Sequence, residues 1–481
     1  MQKQNHVAAL SAYAELVKKH PRGGAWGEYA RAATFYGDFD LAEQIWKHIL
    51  DSQPKTAELF SRIAWEYQNI RLHSKARDLY RQASDLEPQN LSAQLTLAWV
   101  LARTNSLDDA RLAVGKCLAL DSANEQARYL AAHLDRRAKK LDTAEQQFRD
   151  LLATDLTDPY VPYFCHAELA NILDQSGRFD EAMTLLMAGK KLFHPPPEQQ
   201  AERRQIDQWH EEVLAKTKSL PRDIFVKWSN SFSLKERKPA VSLAFLTGSA
   251  RSGTTLLERI LDAHPAVAAA DESLAFSKII PAIDMTAPAI PGQRLAVLRQ
   301  RYLNILSKIT GPPSPGKVIL DKNPSQTAWL PNFLRAFPEA RILIALRDPR
   351  DILISLYFQN QTSTNDLSLE TLAQHYKNVM DIWLAIRNWE GFSWMETRYE
   401  DVVADLPREG ARVTTFLGLE WHGDQAGYYE RNREKPVMSN NYHDVSQPVY
   451  KRAVGRWQAY EKYLAPVLPV LEPYCKAFGY A

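Results

Sequence analysis

The sequence predicts an α-solenoid of helical repeats followed by an α/β domain with a central parallel sheet, and three observations predict it. Alanines recur every 34 residues through the first third of the chain, at Ala30, Ala64, Ala98 and Ala132 and again at Ala42, Ala76, Ala110 and Ala144. After residue 241 short apolar runs alternate with segments of helical period, the pattern of parallel strands joined by helices. Between the first such run and the first such helix lies Thr247-Gly248-Ser249-Ala250-Arg251-Ser252-Gly253-Thr254-Thr255, a turn bracketed by glycines.

A 34-residue period with small residues where two helices cross describes a helix-turn-helix unit that buries its apolar face only by stacking on the next. Trp46, Tyr80, Val114 and Phe148 keep a large apolar residue four positions after the second alanine of each unit, and Pro54 and Pro88 follow successive second helices. These marks resemble the tetratricopeptide repeat. A fifth unit carries Ala170 and Ala182 around Gly177-Arg178-Phe179-Asp180-Glu181, 38 residues past the fourth, so four residues have entered near Thr157-Asp158-Pro159-Tyr160. Residues 7–25 are expected to add an imperfect first helix that caps the array.

His194-Pro195-Pro196-Pro197 interrupts the helical pattern, because consecutive prolines favour an extended spacer. The expected domains are therefore 1–194 for the repeat array, 195–240 for a Pro-rich boundary with a bridging helix over 198–218, and 241–481 for the α/β domain. Phe225, Trp228 and Phe232 are read as packing between the two domains.

A chain of 481 residues exceeds one ordinary core, and 45% hydrophobic residues suffice to fill two. The formal net charge of +2 excludes a broadly basic nucleic-acid surface, so any cationic site must be local. Cys117, Cys165 and Cys475 are odd in number and far apart, which fits neither a disulfide framework nor a zinc site and points to a reducing compartment. Met1 to His6 lacks the apolar segment of a secretory signal, and no run of about 18 uncharged apolar residues occurs. The expected address is cytoplasmic, with no membrane span.

The strands expected are 243–247, 267–270, 318–320 and 342–346, whose carboxyl ends carry the glycine turn, Asp271-Glu272, Asp321-Lys322-Asn323 and Arg347-Asp348. Ligands of open parallel sheets bind outside those ends. Gly248 and Gly253 let the backbone double back with its amides pointing inward, and the helix behind adds about half a positive charge, so an anion belongs there. The Gly-x-x-x-x-Gly spacing matches a Walker A loop, but Thr254-Thr255 stand where a nucleoside triphosphatase has lysine and then serine or threonine. The strongest cation of the loop is Arg251.

Arg251-Ser252-Gly253-Thr254-Thr255-Leu256-Leu257, followed by Leu261-Asp262-Ala263-His264-Pro265, resembles the 5′-phosphosulfate loop of sulfotransferases. The likeness is strongest to the tyrosylprotein type and to bacterial relatives carrying tetratricopeptide repeats. The resemblance runs from about residue 240 to the C-terminus and implies a P-loop-like sulfotransferase domain. Its co-substrate would be 3′-phosphoadenosine-5′-phosphosulfate (PAPS), with no metal, and Ser249, Arg251, Ser252, Gly253, Thr254 and Thr255 would hold the phosphosulfate.

Sulfuryl transfer to a hydroxyl needs a cradle for the donor phosphates, a cation on the bridging oxygen and a base for the hydroxyl. Ala270-Asp271-Glu272 stands where the family has a Gly-Glu-Glu type motif, which makes Glu272 the expected base. Asp271 stays open as its rival, and helix capping near Ser273 is the structural alternative. Lys322 in Asp321-Lys322-Asn323-Pro324 resembles the family lysine of an Asn-Lys-Asp-Pro type sequence and is assigned, with Arg251, to the bridging oxygen. Arg347-Asp348-Pro349-Arg350-Asp351 with Ser355 resembles the 3′-phosphate motif, and Tyr399 matches a nucleotide-contacting tyrosine. Gln447-Pro448-Val449-Tyr450 with Gly455-Arg456-Trp457 resembles the segment that closes over the donor, which places Arg456 near the nucleotide and Asn441 where the family has a serine.

The implied acceptor is a hydroxyl, on a polypeptide if the repeats present it, with no nucleic acid involved. Two other readings stay open at the level of sequence: a kinase or triphosphatase using the glycine loop, and a repeat scaffold with an inactive sulfotransferase-like domain. The repeats could equally mediate dimerisation, and the oligomeric state is left open.

Overall fold

The computed structural model describes residues 4–20, 24–70, 72–230, 242–287, 290–312, 314–324, 326–359, 368–431 and 447–480. The chain divides into two compact units, Met1–Val161 and Pro162–Ala481.

The first unit is all helical. After Gln4–Lys19 come four helix pairs, Ala25–Phe35 with Phe39–Ser52, Ala57–Asn69 with His73–Leu86, Leu91–Arg103 with Leu107–Leu120, and Glu125–Arg137 with Leu141–Leu152. All eight alanines of the 34-residue repeat are fully buried, because only a methyl group fits where the helices of a pair cross. Trp46, Tyr80, Val114 and Phe148 fill the core beside them. A further signature of the repeat lies at the first helix of each later pair. Thr56, Asn90 and Asn124 accept hydrogen bonds from the amides of Leu59, Ala93 and Ala127, satisfying helix-terminal donors at the same 34-residue interval. The added residues between the fourth and fifth pairs are tied down by Glu125, whose carboxylate accepts from the amides of Thr157 and Asp158.

The second unit begins within the helix Tyr160–Gln175, which pairs with Phe179–Leu192. The boundary between the compact units lies upstream of Pro195 to Pro197. Pro197 does not end structure but opens the next helix, Pro197–Ser219, at a position where the missing amide costs nothing. Phe225 meets Phe392 at 5.5 Å and Trp228 meets Trp389 at 5.5 Å, so these aromatics pack inside the second unit and not between domains as expected. Phe232 lies outside the described residues.

The core of this unit is a five-stranded, all-parallel sheet in the order β2-β3-β1-β4-β5. Its strands are β1 Ser242–Gly248, β2 Val267–Asp271, β3 Val318–Lys322, β4 Arg341–Leu346 and β5 Ser393–Arg398. The first four extend the expected strands by one or two residues, and β5 is additional. In β5, Trp394 to Glu396 are only half buried, and an edge strand of that composition shows no apolar run. Register brings the carboxyl ends level, with Leu246 beside Lys322, Asp271 beside Lys322 and Gly248 beside Ala345. Among the described residues no helix is long and apolar enough to cross a membrane.

Candidate active site

The turn after β1 is shaped by three left-handed or otherwise glycine-type positions. Gly248 has φ 142°, and a Cβ there would lie 2.3 Å from the carbonyl oxygen of Ala345 on β4. Gly253 has φ 91°, and its Cβ would lie 2.7 Å from the ring of Tyr399. Arg251 takes φ 69° without being glycine, a strained conformation held by its surroundings. Ser252 Oγ donates to the carbonyl of Ser249 at 2.7 Å and locks the turn. The helix Thr254–Asp262 that follows has no side-chain cap on its first amides, and Thr254 and Thr255 are buried at that end. Uncapped amides, a helix dipole and clustered hydroxyls make a cradle that fits a phosphate or phosphosulfate.

On the β3 side, Lys322 is fully buried. Its Nζ is ion-paired with Asp271 Oδ1 and lies 3.2 Å from Glu272 Oε1. Burial works against its charge, but Asp271, Glu272 and Glu258 outweigh that and raise its pKa above the ordinary lysine value. Both carboxylates named as candidate bases therefore serve this lysine, and Ser273 occupies the N-cap position of the helix Leu274–Ile279. They differ in access. The side chain of Asp271 is 12% exposed and also faces Arg259 at 3.7 Å, whereas that of Glu272 is 29% exposed. Glu272 adopts φ 50°, and its amide donates to the carbonyl of Lys322 at 2.7 Å.

Residues to which the sequence assigns no individual role support this pair. Asp321 is fully buried and receives hydrogen bonds from Tyr302 at 2.5 Å, Ser273 at 3.0 Å and Asn323 at 2.9 Å. Burial pushes its carboxyl up to about 7, with those three hydrogen bonds pulling the other way. Thr247 Oγ1 donates to the carbonyl of Asn323 at 2.8 Å and joins β1 to the turn after β3. Glu258, buried on the loop helix, has its carboxyl pushed up to about 8 by burial, against the nearby Arg259 at 3.2 Å. A polar residue at the end of a buried apolar strand was the available signal for Asp321.

On the β4 side, Asp348 caps the helix Pro349–Tyr357 by accepting from the amide of Arg350, and Ser355 faces the loop from that helix. Arg251 Nε donates to Ser355 Oγ at 2.8 Å. The structure thus brings Arg251 to the residues expected at the 3′-phosphate, where the sequence grouped it with Lys322. Arg347 donates to the carbonyls of Arg251 at 3.2 Å and Ala453 at 2.5 Å, and its guanidinium sits 4.9 Å from the ring centre of Tyr399. Its Nε is buried without a hydrogen-bond partner among the described residues, which fits an anion at this point.

Asp351 accepts from the amides of Gly455 and Trp457, each at 2.7 Å, and so holds the segment that carries Arg456. The Arg456 side chain goes to Asp174 at 3.0 Å and stacks over Phe358 at 4.3 Å, although the sequence expectation put it at the nucleotide. Asn441 lies outside the described residues.

Fold and site together define a parallel-sheet α/β domain with a glycine-bracketed loop ahead of an uncapped helix, a buried lysine and a carboxylate at neighbouring strand ends. Residues 244–423 match the sulfotransferase family. The matched segment lies within the second unit and follows the N-terminal array of helix pairs with its 34-residue repeat. It is 23% identical over 425 residues to an uncharacterised protein of Aquifex aeolicus, a match covering 83% of this chain and 52% of that protein. It is 23% identical over 235 residues to protein-tyrosine sulfotransferase 2 of Gallus gallus, covering 45% of this chain and 62% of the relative. The chain therefore spans between half and two thirds of the length of these relatives. Among solved structures, the sulfotransferase domain of the Synechococcus PCC 7002 olefin synthase aligns with a TM-score of 0.36 and 17% identity, over 50% of this chain and 97% of that one.

Proposed function

We propose that the second unit transfers a sulfuryl group from PAPS to a hydroxyl acceptor. The observation that carries this reading is the convergence of three groups at the carboxyl ends of adjacent strands. These are the uncapped loop after β1, the Asp271-Glu272 pair at the end of β2 and Lys322 at the end of β3. The loop amides with Ser252, Thr254 and Thr255 hold the phosphosulfate. Arg347, Ser355 and Arg251 hold the 3′-phosphate, and Tyr399, packed on Gly253, lies where the nucleotide would run. The acceptor oxygen forms its bond to sulfur as the bond from sulfur to the bridging phosphate oxygen breaks. Glu272 takes the hydroxyl proton, and the electron pair leaves on that oxygen opposite Lys322.

The expected result of isothermal titration is tight binding of 3′,5′-adenosine bisphosphate and much weaker binding of 5′-adenosine monophosphate, since only the first reaches Arg347 and Ser355. Equal affinities would remove those residues from the donor site.

The acceptor we infer is a polypeptide recruited by the helical array. Supporting this, Arg31, Trp65, Trp99 and His133 occupy one repeated position on successive first helices. Trp65 is 56% exposed, and Tyr129 stacks between Trp99 at 5.7 Å and His133 at 6.1 Å. Trp99 and His133 are half-buried beside the buried Tyr129, and a row that offers ring faces next to an exposed tryptophan is suited to an extended chain. The matched relatives that are named protein-tyrosine sulfotransferases point the same way. Replacing Trp65 and Trp99 together by alanine should raise the acceptor KM and leave kcat unchanged, because the binding energy lost is remote from the reacting hydroxyl. Unchanged KM for the sulfated polypeptide would take the array out of acceptor selection.

A further inference from the structure

The fifth helical pair differs from the other four in what its polar residues do. In the portion that belongs to the second unit, residues 162–192, three of them reach the helix that carries Ser355 and the segment that carries Arg456. Asn171 Nδ2 donates to the carbonyl of Phe358 at 3.1 Å, and Lys190 Nζ donates to the carbonyl of Gln359 at 2.9 Å. Those carbonyls lie just past the end of the helix Pro349–Tyr357, where the backbone dipoles leave negative charge and a cation is favourable. Lys190 is only 4% exposed and sits between the rings of Tyr163 at 5.5 Å and Tyr357 at 5.4 Å. Burying an ammonium is costly unless it is paired, so its place at this helix end is a specific contact and not a solvated lysine.

Asp174 makes the second tie. Its Oδ1 accepts from Arg456 Nε at 3.0 Å and from the hydroxyl of Tyr460 at 2.6 Å. Arg456 is thereby bracketed: its two backbone neighbours hang from Asp351 on the helix of Ser355, while its side chain is held by Asp174 and by the ring of Phe358. Ala453, three residues earlier, is bonded to Arg347. The contacts of Asp180 with Lys462 and Tyr463 are exposed and contribute little beside these.

We propose that the fifth helical pair is a working part of the donor site, with Asp174 and Lys190 as positioning residues: Asp174 anchors the segment whose Ala453 carbonyl holds Arg347, Lys190 anchors the end of the Ser355 helix, and together they set the geometry in which Arg347 and Ser355 grip the 3′-phosphate. The proposal rests on the sulfotransferase reading above. It makes a repeat of the array an integral component of the nucleotide site, so that anything shifting this helix pair alters donor affinity through the 3′-phosphate alone.

The test is isothermal titration of the full chain with 3′,5′-adenosine bisphosphate and with 5′-adenosine monophosphate, for Asp174→Ala, Asp174→Asn and Lys190→Met. Asp174→Ala should weaken the bisphosphate by about tenfold or more, the size of one lost charge-assisted hydrogen bond, and leave the monophosphate unchanged. Asp174→Asn, which keeps a neutral acceptor, should fall between, and Lys190→Met should lower the same ratio through the other tie. A merely structural role would weaken both nucleotides in parallel, and that result, or an unchanged ratio in Asp174→Asn and Lys190→Met, overturns the proposal. Failure of the unaltered chain to prefer the bisphosphate would instead remove the donor reading beneath it.

Discussion

Glu272→Gln is expected to lower the transfer rate by about 10²-fold or more while leaving bisphosphate binding intact, the usual size of a general-base contribution. Three features favour Glu272 over Asp271. Its side chain is the more exposed, at 29% against 12%, so a hydroxyl can reach it. Asp271 is shared between Lys322 and Arg259, which commits its oxygens to structure. Glu272 is also held at φ 50°, a costly conformation for a non-glycine residue that is fixed by the hydrogen bond its amide donates to the carbonyl of Lys322. Glutamine preserves shape and can accept a hydrogen bond, so folding should survive. The rate is read as transfer of labelled sulfuryl groups from PAPS to polypeptides of a lysate. Near-normal transfer by Glu272→Gln would sink the assignment, and a loss of that size confined to Asp271→Asn would move the base to Asp271.

Lys322→Met should show two effects of different origin. Removing the buried cation leaves Asp271 and Glu272 without their lysine partner, with Arg259 the cation that remains beside Asp271, and breaking a buried pair in this way costs about 3–5 kcal/mol of stability. Chemical denaturation measures that loss. Under conditions where the variant is fully folded, transfer should still fall by about 10²- to 10³-fold, as when one donor to a developing negative charge is removed. Asp271→Asn in the same background should recover part of the stability, since it removes one of the stranded charges, and should recover none of the rate. A folded Lys322→Met protein with ordinary turnover would reduce the lysine to a structural role. Arginine is not an equivalent replacement, because its fork does not fit a fully enclosed site built around one ammonium.

Much of this molecule is legible without coordinates wherever the constraint is local. The 34-residue alanines need only a methyl-sized gap between adjacent helices, so their spacing alone announces the array, and all eight are fully buried. The glycine loop is legible for a similar reason: a strand, two permissive residues and a run of hydroxyls ahead of a helix leave few other structures open. β5 was hidden because an edge strand with Trp394, Glu396 and Arg398 carries no continuous apolar signal. Pro195 to Pro197 are ambiguous in sequence because proline can open a helix as well as end one, and Pro197 opens Pro197–Ser219.

Chain-local patterns yield an inventory: a repeat array, a glycine-bracketed loop, and a lysine and an acidic pair at strand ends. Which of these residues meet follows from the packing of the folded chain. Arg251 joins Ser355 across 104 positions, and Arg456 joins Asp174 across 282. The buried carboxyl of Asp321 collects Tyr302, Ser273 and Asn323 from three different stretches. Local patterns encode helices, strands and turns because those depend on neighbours in the chain. A charge pair depends instead on where the sheet order and helix packing deliver each side chain, and on the requirement that a buried charge find a partner, which no spacing along the chain expresses.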